Sequence, residues 1–228
     1  PGMPLDNLSN TLTIFLGANV ACAQCHDHPL ADWTQREYFE LAAFFGATDV
    51  SDRDPRKVGN KLRNGQLSKQ DVIQAVAPNL ARVRTKSHQT LRFPDDYAYD
   101  DVKPGSRVEP LLFIWASGDE KGPAYAVDHQ NPKNLRSSFA QWLTHEKNPR
   151  FAATIANRLW QRSFGLGVQE PLDDLDDLSK SANPALLQLL GKVMVKAGFD
   201  LREFQRVLFN SRIYQAKSSV TPEIGQSD

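Results

Sequence analysis

The sequence predicts a mainly α-helical protein with two bundle-like helical halves and a short β and loop region between them. Three observations carry this prediction. Apolar residues recur at helical spacing near both ends of the chain, and Pro, Gly and short polar residues mark where those runs start and stop. Between them, from about residue 51, the helical period fades and the charge turns basic. The resulting divisions are 1–50, a helical segment; 51–130, a mixed connecting region; and 131–228, a second helical domain.

The totals set wide bounds. With 228 residues the chain can bury a sizeable core. Lys plus Arg and Asp plus Glu are both 27, so the overall balance asks for neither nucleic acid nor an acidic membrane surface. No apolar run approaches the roughly 20 residues that span a bilayer. The opening Pro1-Gly2-Met3-Pro4 lacks a basic-then-apolar leader, which reads as a matured product or a piece of something longer.

In the first segment Leu5, Leu8, Leu12, Phe15, Leu16 and Val20 follow one helical stripe, which predicts a single amphipathic helix running to Cys25. Pro29 stops it. Thr34-Gln35-Arg36-Glu37 then restarts a helix with a capping box, with Tyr38, Leu41, Ala42 and Phe45 on one face and Gly46 as a left-handed stop.

The middle segment differs in character. From Ser51 to Arg107 there are twelve Lys or Arg against seven Asp. Asn64-Gly65 reads as a tight turn, and Ser68 caps a short helix through Ala77. Leu91-Arg92-Phe93 and Leu111 to Trp115 read as short strands.

From Pro132 to His145 a helix buries Leu135, Phe139, Trp142 and Leu143. Pro149 opens another that Gly165 closes, with Asn157 and Arg158 inside it as structural pins. Pro184 starts a helix through Ala197. Asp200 caps the last one, on which Leu201, Phe204, Val207 and Leu208 face inward, and the chain beyond Tyr214 reads as a frayed tail.

Both cysteines and two of the five histidines lie in Cys22-Ala-Gln-Cys25-His26-Asp27-His28-Pro29. Two thiols three positions apart with histidine next are the attachment pattern of haem c. The thiols can add to the two vinyl groups of one porphyrin, and the imidazole of His26 then lies beneath the iron as proximal ligand. Trp33, Phe39, Phe44 and Phe45 are candidate apolar walls. Three other readings stay open: a dithiol or disulfide between Cys22 and Cys25, a zinc site using Cys22, Cys25 and His28, and two core thiols placed by chance.

His28 is too close in sequence to reach the opposite face of the same porphyrin, so it must bind something else or hydrogen-bond. A distal iron ligand falls to His129 or His145 ahead of His88, Met194 and Met3. Glu170-Pro-Leu-Asp173-Asp174-Leu-Asp176-Asp177 holds five carboxylates in eight residues. Asp173, Asp174, Asp176 and Asp177 are therefore candidate calcium ligands, although the order does not match an EF-hand and a solvated acidic loop is the alternative. No G-x-S-x-G elbow, phosphate-cradling glycine loop or carboxylate dyad outside the acidic loop points to an enzyme.

The run Phe15-Leu16-Gly17 through Cys22 to Pro29, with Trp33, Gln35, Tyr38 and Ala42-Ala43-Phe44-Phe45, resembles a cytochrome-associated domain of unknown function abundant in planctomycetes. Phe139-Ala-Gln-Trp142-Leu143-Thr144, Asn148-Pro149, Asn157-Arg158-Leu159-Trp160, Asp173-Asp174, Asn183-Pro184 and Asn210-Ser211-Arg212-Ile-Tyr214-Gln215 resemble its usual companion. The resemblance implies an extracytoplasmic (periplasmic or cell-surface) molecule that is part of a longer chain, with redox proteins or other domains of that chain as partners. It names no substrate. The function expected from the sequence is a haem-binding electron-transfer module, with a non-haem interaction module or an enzyme as alternatives.

Overall fold

A computed structural model describes residues 4–51, 63–65, 68, 82–86, 90–112, 134–175 and 180–216. Helices dominate: α1 (Pro4–Leu16), α2 (Gln35–Ala42), α3 (Leu135–Leu143), α4 (Pro149–Phe164), α5 (Pro184–Lys196), α6 (Leu201–Phe209) and the short α7 (Arg212–Gln215). Strands β1 (Thr48–Ser51) and β2 (Arg82–Thr85) pair antiparallel, with Thr48 opposite Thr85. The chain divides into two compact units, one of Pro1–Leu12 and Asn19–Thr144, the other of Thr13–Ala18 and His145–Asp228.

The first helix ends earlier than its apolar stripe predicts. Leu16 is its last residue, Gly17 takes a left-handed φ of +59°, and the cysteine pair sits on a separate 3-10 turn, Ala21–Gln24. The stop has a physical cause beyond backbone freedom. A Cβ on Gly17 would lie 2.6 Å from Cδ1 of Leu175, a fully buried side chain, and the Gly17 carbonyl accepts the Leu175 N–H at 2.6 Å.

In the first unit α2 begins as predicted. Thr34 Oγ1 accepts the Glu37 N–H and Glu37 reaches back to the Thr34 N–H, a complete capping box. The helix then tightens into a 3-10 turn, Ala43–Phe45. Gly46 is right-handed, not left-handed, with φ −55°. It is needed for close approach, since a Cβ there would meet the Leu91 backbone nitrogen at 2.9 Å. Tyr38 is buried against α1, donating to the Leu5 carbonyl at 3.0 Å with Ser9 Oγ at 2.9 Å. Phe44 and Phe45 both contact Phe139 of α3, whose buried residues are the predicted Leu135, Phe139, Trp142 and Leu143.

The predicted strand at 91–93 is reduced to a single bridge, Arg92 to Arg107, and Leu111-Leu112 forms no strand. Gly65 has the positive φ of the expected turn. Residues 69–77 and 113–115 lie outside the described residues.

The second unit packs α4, α5 and α6 around a cluster that includes Ala156, Leu159, Leu175, Leu187, Met194, Phe204 and Leu208. Each helix start is capped by a side chain, Asn148, Asn183 and Asp200, and Pro149 and Pro184 take first-turn positions as predicted. Met194 is fully buried in this core. On α6 Phe204 and Leu208 face inward, but Leu201 and Val207 are exposed: nine residues supply one narrow stripe, and these two fall beside it.

Candidate functional site

The 3-10 turn Ala21–Gln24 fixes the spacing of the candidate ligands. Ala23 is its buried residue, and the N–H groups of Cys25 and His26 both point back at the Cys22 carbonyl, at 3.3 and 3.4 Å. Burying Ala23 leaves both neighbouring cysteines outside. Cys22 and Cys25 are exposed with free thiols, and His26 is exposed beside them.

The two histidines of this loop are in opposite chemical states. His26 Nδ1 lies 2.6 Å from the Asp27 carbonyl, which can only accept, so Nδ1 carries a proton, and in the neutral ring Nε2 then holds the lone pair. His28 Nδ1 accepts the Leu30 N–H at 3.2 Å, which assigns the proton to Nε2 and uses the one lone pair of the neutral ring. His28 thus braces the loop, the hydrogen-bonding role open to it in the sequence, while His26 turns its ring nitrogen Nδ1 to the backbone.

The loop is held by a polar pin. Gln35, 1% exposed, donates from Nε2 to the Gln24 carbonyl at 3.1 Å and accepts the Ala98 N–H at 3.1 Å. Asp27 joins the same brace: its Oδ1 accepts the Gln35 N–H at 2.8 Å, and its own N–H donates to the Tyr99 hydroxyl at 2.7 Å. Sequence reading missed both contacts, because Ala98 and Tyr99 are more than sixty residues away.

A porphyrin places two demands on this loop, donors and walls. The donor set fits: two open thiols and one imidazole with an available nitrogen. The predicted walls do not. Trp33, Phe39 and Phe44 are buried, and Phe45 packs on Phe139 with ring centroids 4.9 Å apart, so core packing uses all four aromatics. The apolar surface offered by the loop itself is Pro29 and Leu30, the latter 88% exposed.

His145 belongs to the second unit, where its Nδ1 accepts the Lys147 N–H at 3.1 Å. His129, Asp176 and Asp177 lie outside the described residues. Asp173 and Asp174 are exposed. Asp173 acts on the guanidinium of Arg158, whose pKa burial lowers and Asp173 opposes. Among the described residues no three His, Cys, Asp or Glu side chains stand together as a metal site, Cys22, Cys25 and His28 included, and two of the four candidate calcium ligands lie outside those residues.

Next to the loop, a cleft of about 500 Å³ opens between α2 and the 97–101 segment, with Asp27 in its lining. Along α2 Arg36 Nε meets Glu40 at 2.8 Å, and across the cleft its guanidinium reaches Asp101 at 3.6 Å. Burial pushes the Glu40 carboxyl up, against the pull of Arg36.

Residues 3–50 match the family model PSCyt2, described as a protein of unknown function (DUF1549), and residues 135–228 match PSD1, a protein of unknown function (DUF1553). No curated protein and no solved structure matches the chain. No described helix is long and apolar enough to cross a membrane.

Proposed function

The chain belongs to the proteins that carry a PSCyt2 segment followed by its PSD1 companion, and from that premise we propose that its Cys-His loop is a covalent haem c site in an exported electron-transfer module. The observation that supports this reading best is the tautomer of His26, whose Nδ1 is committed to a backbone carbonyl while Nε2 is left to coordinate, beside two open thiols. Cys22 and Cys25 would hold the group, each thiol adding across one vinyl group, sulfur to one carbon and hydrogen to the other, with nothing released. Haem c supplies one-electron chemistry when bound. The chain's part is to hold His26 in register through Gln35 and Asp27, and to offer Pro29 and Leu30 as apolar cover. Attachment of this kind belongs outside the cytoplasm, with a redox protein or another domain as partner.

Co-expression with a c-type maturation system tests the proposal. Porphyrin absorbance is expected to stay with the polypeptide through denaturation with reductant, and to be lost in the Cys22→Ala, Cys25→Ala double variant. Complete loss of Soret absorbance from the wild-type chain under those conditions overturns it. Zinc found by mass spectrometry, or a Cys22–Cys25 disulfide, would put the non-haem interaction module in its place.

A further inference from the structure

Three hydrogen bonds meet at Asp27. Its carbonyl receives His26 Nδ1 at 2.6 Å, its N–H donates to the Tyr99 hydroxyl at 2.7 Å, and its Oδ1 accepts the Gln35 N–H at 2.8 Å. The first sets the tautomer of the ring, and the other two fix the backbone that aims the carbonyl. A carbonyl one residue after the histidine meets its ring only while the chain at Asp27 stays bent back. Asp27 is exposed, so burial does not hold that bend.

Tyr99 is a firm anchor for it although 37% exposed. Its ring meets that of Tyr97 edge-on with centroids 6.0 Å apart, Tyr97 meets Phe93 at 5.2 Å, and Phe93 meets Phe39 of α2 at 5.7 Å. Tyr97, Phe93 and Phe39 are buried, and the Ala98 N–H between the two tyrosines donates to Gln35 Oε1 at 3.1 Å. The phenol is thus carried outward from the core on a row of rings, and its oxygen is presented to the loop at one place.

We propose that Tyr99 is the positioning residue of His26: through the Asp27 N–H it holds the ring in its Nδ1–H form and leaves Nε2 to donate. A neutral histidine in water favours the proton on Nε2, so the Nδ1–H form at an exposed position is one the chain imposes. A hydrogen bond from Nδ1–H makes the ring a stronger ligand, which favours ferric iron and lowers its midpoint potential. That effect on iron rests on the haem reading above, whereas the tautomer does not depend on it.

Long-range proton–nitrogen NMR spectra of the whole chain, expressed without haem and kept reduced, read the tautomer directly, with His26→Gln identifying its signals. Wild type is expected mainly in the Nδ1–H form. Tyr99→Phe keeps the ring and removes the acceptor. It should lower the ratio of Nδ1–H to Nε2–H about fivefold, as the loss of one ordinary hydrogen bond allows, with little change in melting temperature. Asp27→Ala should lower the ratio too, while Asp27→Asn, which keeps an Oδ1 acceptor, should hold it. A hydroxyl with a structural role alone lowers the melting temperature and leaves the tautomer as it was. In the haem-loaded chain Tyr99→Phe should raise the midpoint potential. The proposal is overturned by a wild-type ring protonated mainly on Nε2 or by an unchanged ratio in Tyr99→Phe, and its bearing on iron by equal potentials in the loaded proteins. A wild-type chain that takes up no haem sinks the haem reading alone, because the spectra without haem still decide what Tyr99 does.

Discussion

Each unit buries a primary amide, and the two do different work. Asn157, 0% exposed in α4, donates to the Gln169 carbonyl at 2.8 Å and accepts the N–H groups of Val168 and Gln169, so its bonds close one turn a few residues downstream. Gln35 in the first unit ties Gln24 to Ala98, eleven and sixty-three residues away. The turn held by Asn157 also has an apolar anchor in Leu175. The cysteine-histidine loop has little of its own, since Ala23 is the buried residue of its 3-10 turn. A loop that leaves its cysteines and His26 outside is positioned by polar bonds, whereas the turn held by Asn157 uses both kinds.

Breaking the Asn157 pin should be the costlier change. Asn157→Leu strands one carbonyl and two N–H groups in the core, with an expected loss of about 3–5 kcal/mol in urea denaturation. Gln35→Met removes two bonds at a partly wetter place and should cost about 2 kcal/mol, while also lowering the yield of haem attachment if the loop loses its register. Equal stability losses with normal haem yield would erase the distinction.

Glycines sharpen the contrast between packed and open positions within the second unit. Gly17→Ala adds a strained φ and a clash with buried Leu175, about 2–3 kcal/mol, whereas Gly198→Ala, with φ +60° and open space around it, should cost about 1 kcal/mol. Thr34→Ala, which dismantles the capping box, should cost about 1 kcal/mol in thermal melts.

The smallest effect is a pH dependence confined to the first unit. The Glu40 carboxyl is held above its usual value of 4.5 in the fold, so the folded chain takes up this proton more readily than the unfolded one. Its contribution therefore favours the fold below about 4.5 and is lost as pH rises through the folded value. Wild type minus Glu40→Gln stability should fall between pH 4 and 7. A difference that rises over that range would mean that Arg36 outweighs burial.

How much was legible in the sequence follows from how locally each feature is written. Helix α4 was readable because Asn148-Pro149 and Gly165 mark both of its ends. The end of α1 was not, because Val20, Ala21 and Cys22 continue an apolar pattern past Gly17, and the buried leucine that excludes a side chain there lies at position 175. Strands β1 and β2, Thr48-Asp-Val-Ser and Arg82-Val-Arg-Thr, pair across more than thirty residues and carry no apolar run to announce them. At the site, the spacing of Cys22, Cys25 and His26 was visible at once. The acidic cleft was not, though the Arg36 and Glu40 pair at helical spacing and the Asp100-Asp101 doublet were its traces.

The opposite proton placement on His26 and His28 makes the loop one-handed. A metal reaching this bend meets one lone pair, not two, so the neighbouring imidazoles cannot close a chelate ring around it. A lasting grip must be finished by sulfur or by covalent bonds to whatever carries the metal, since the imidazoles by themselves give a loose ion a single handhold.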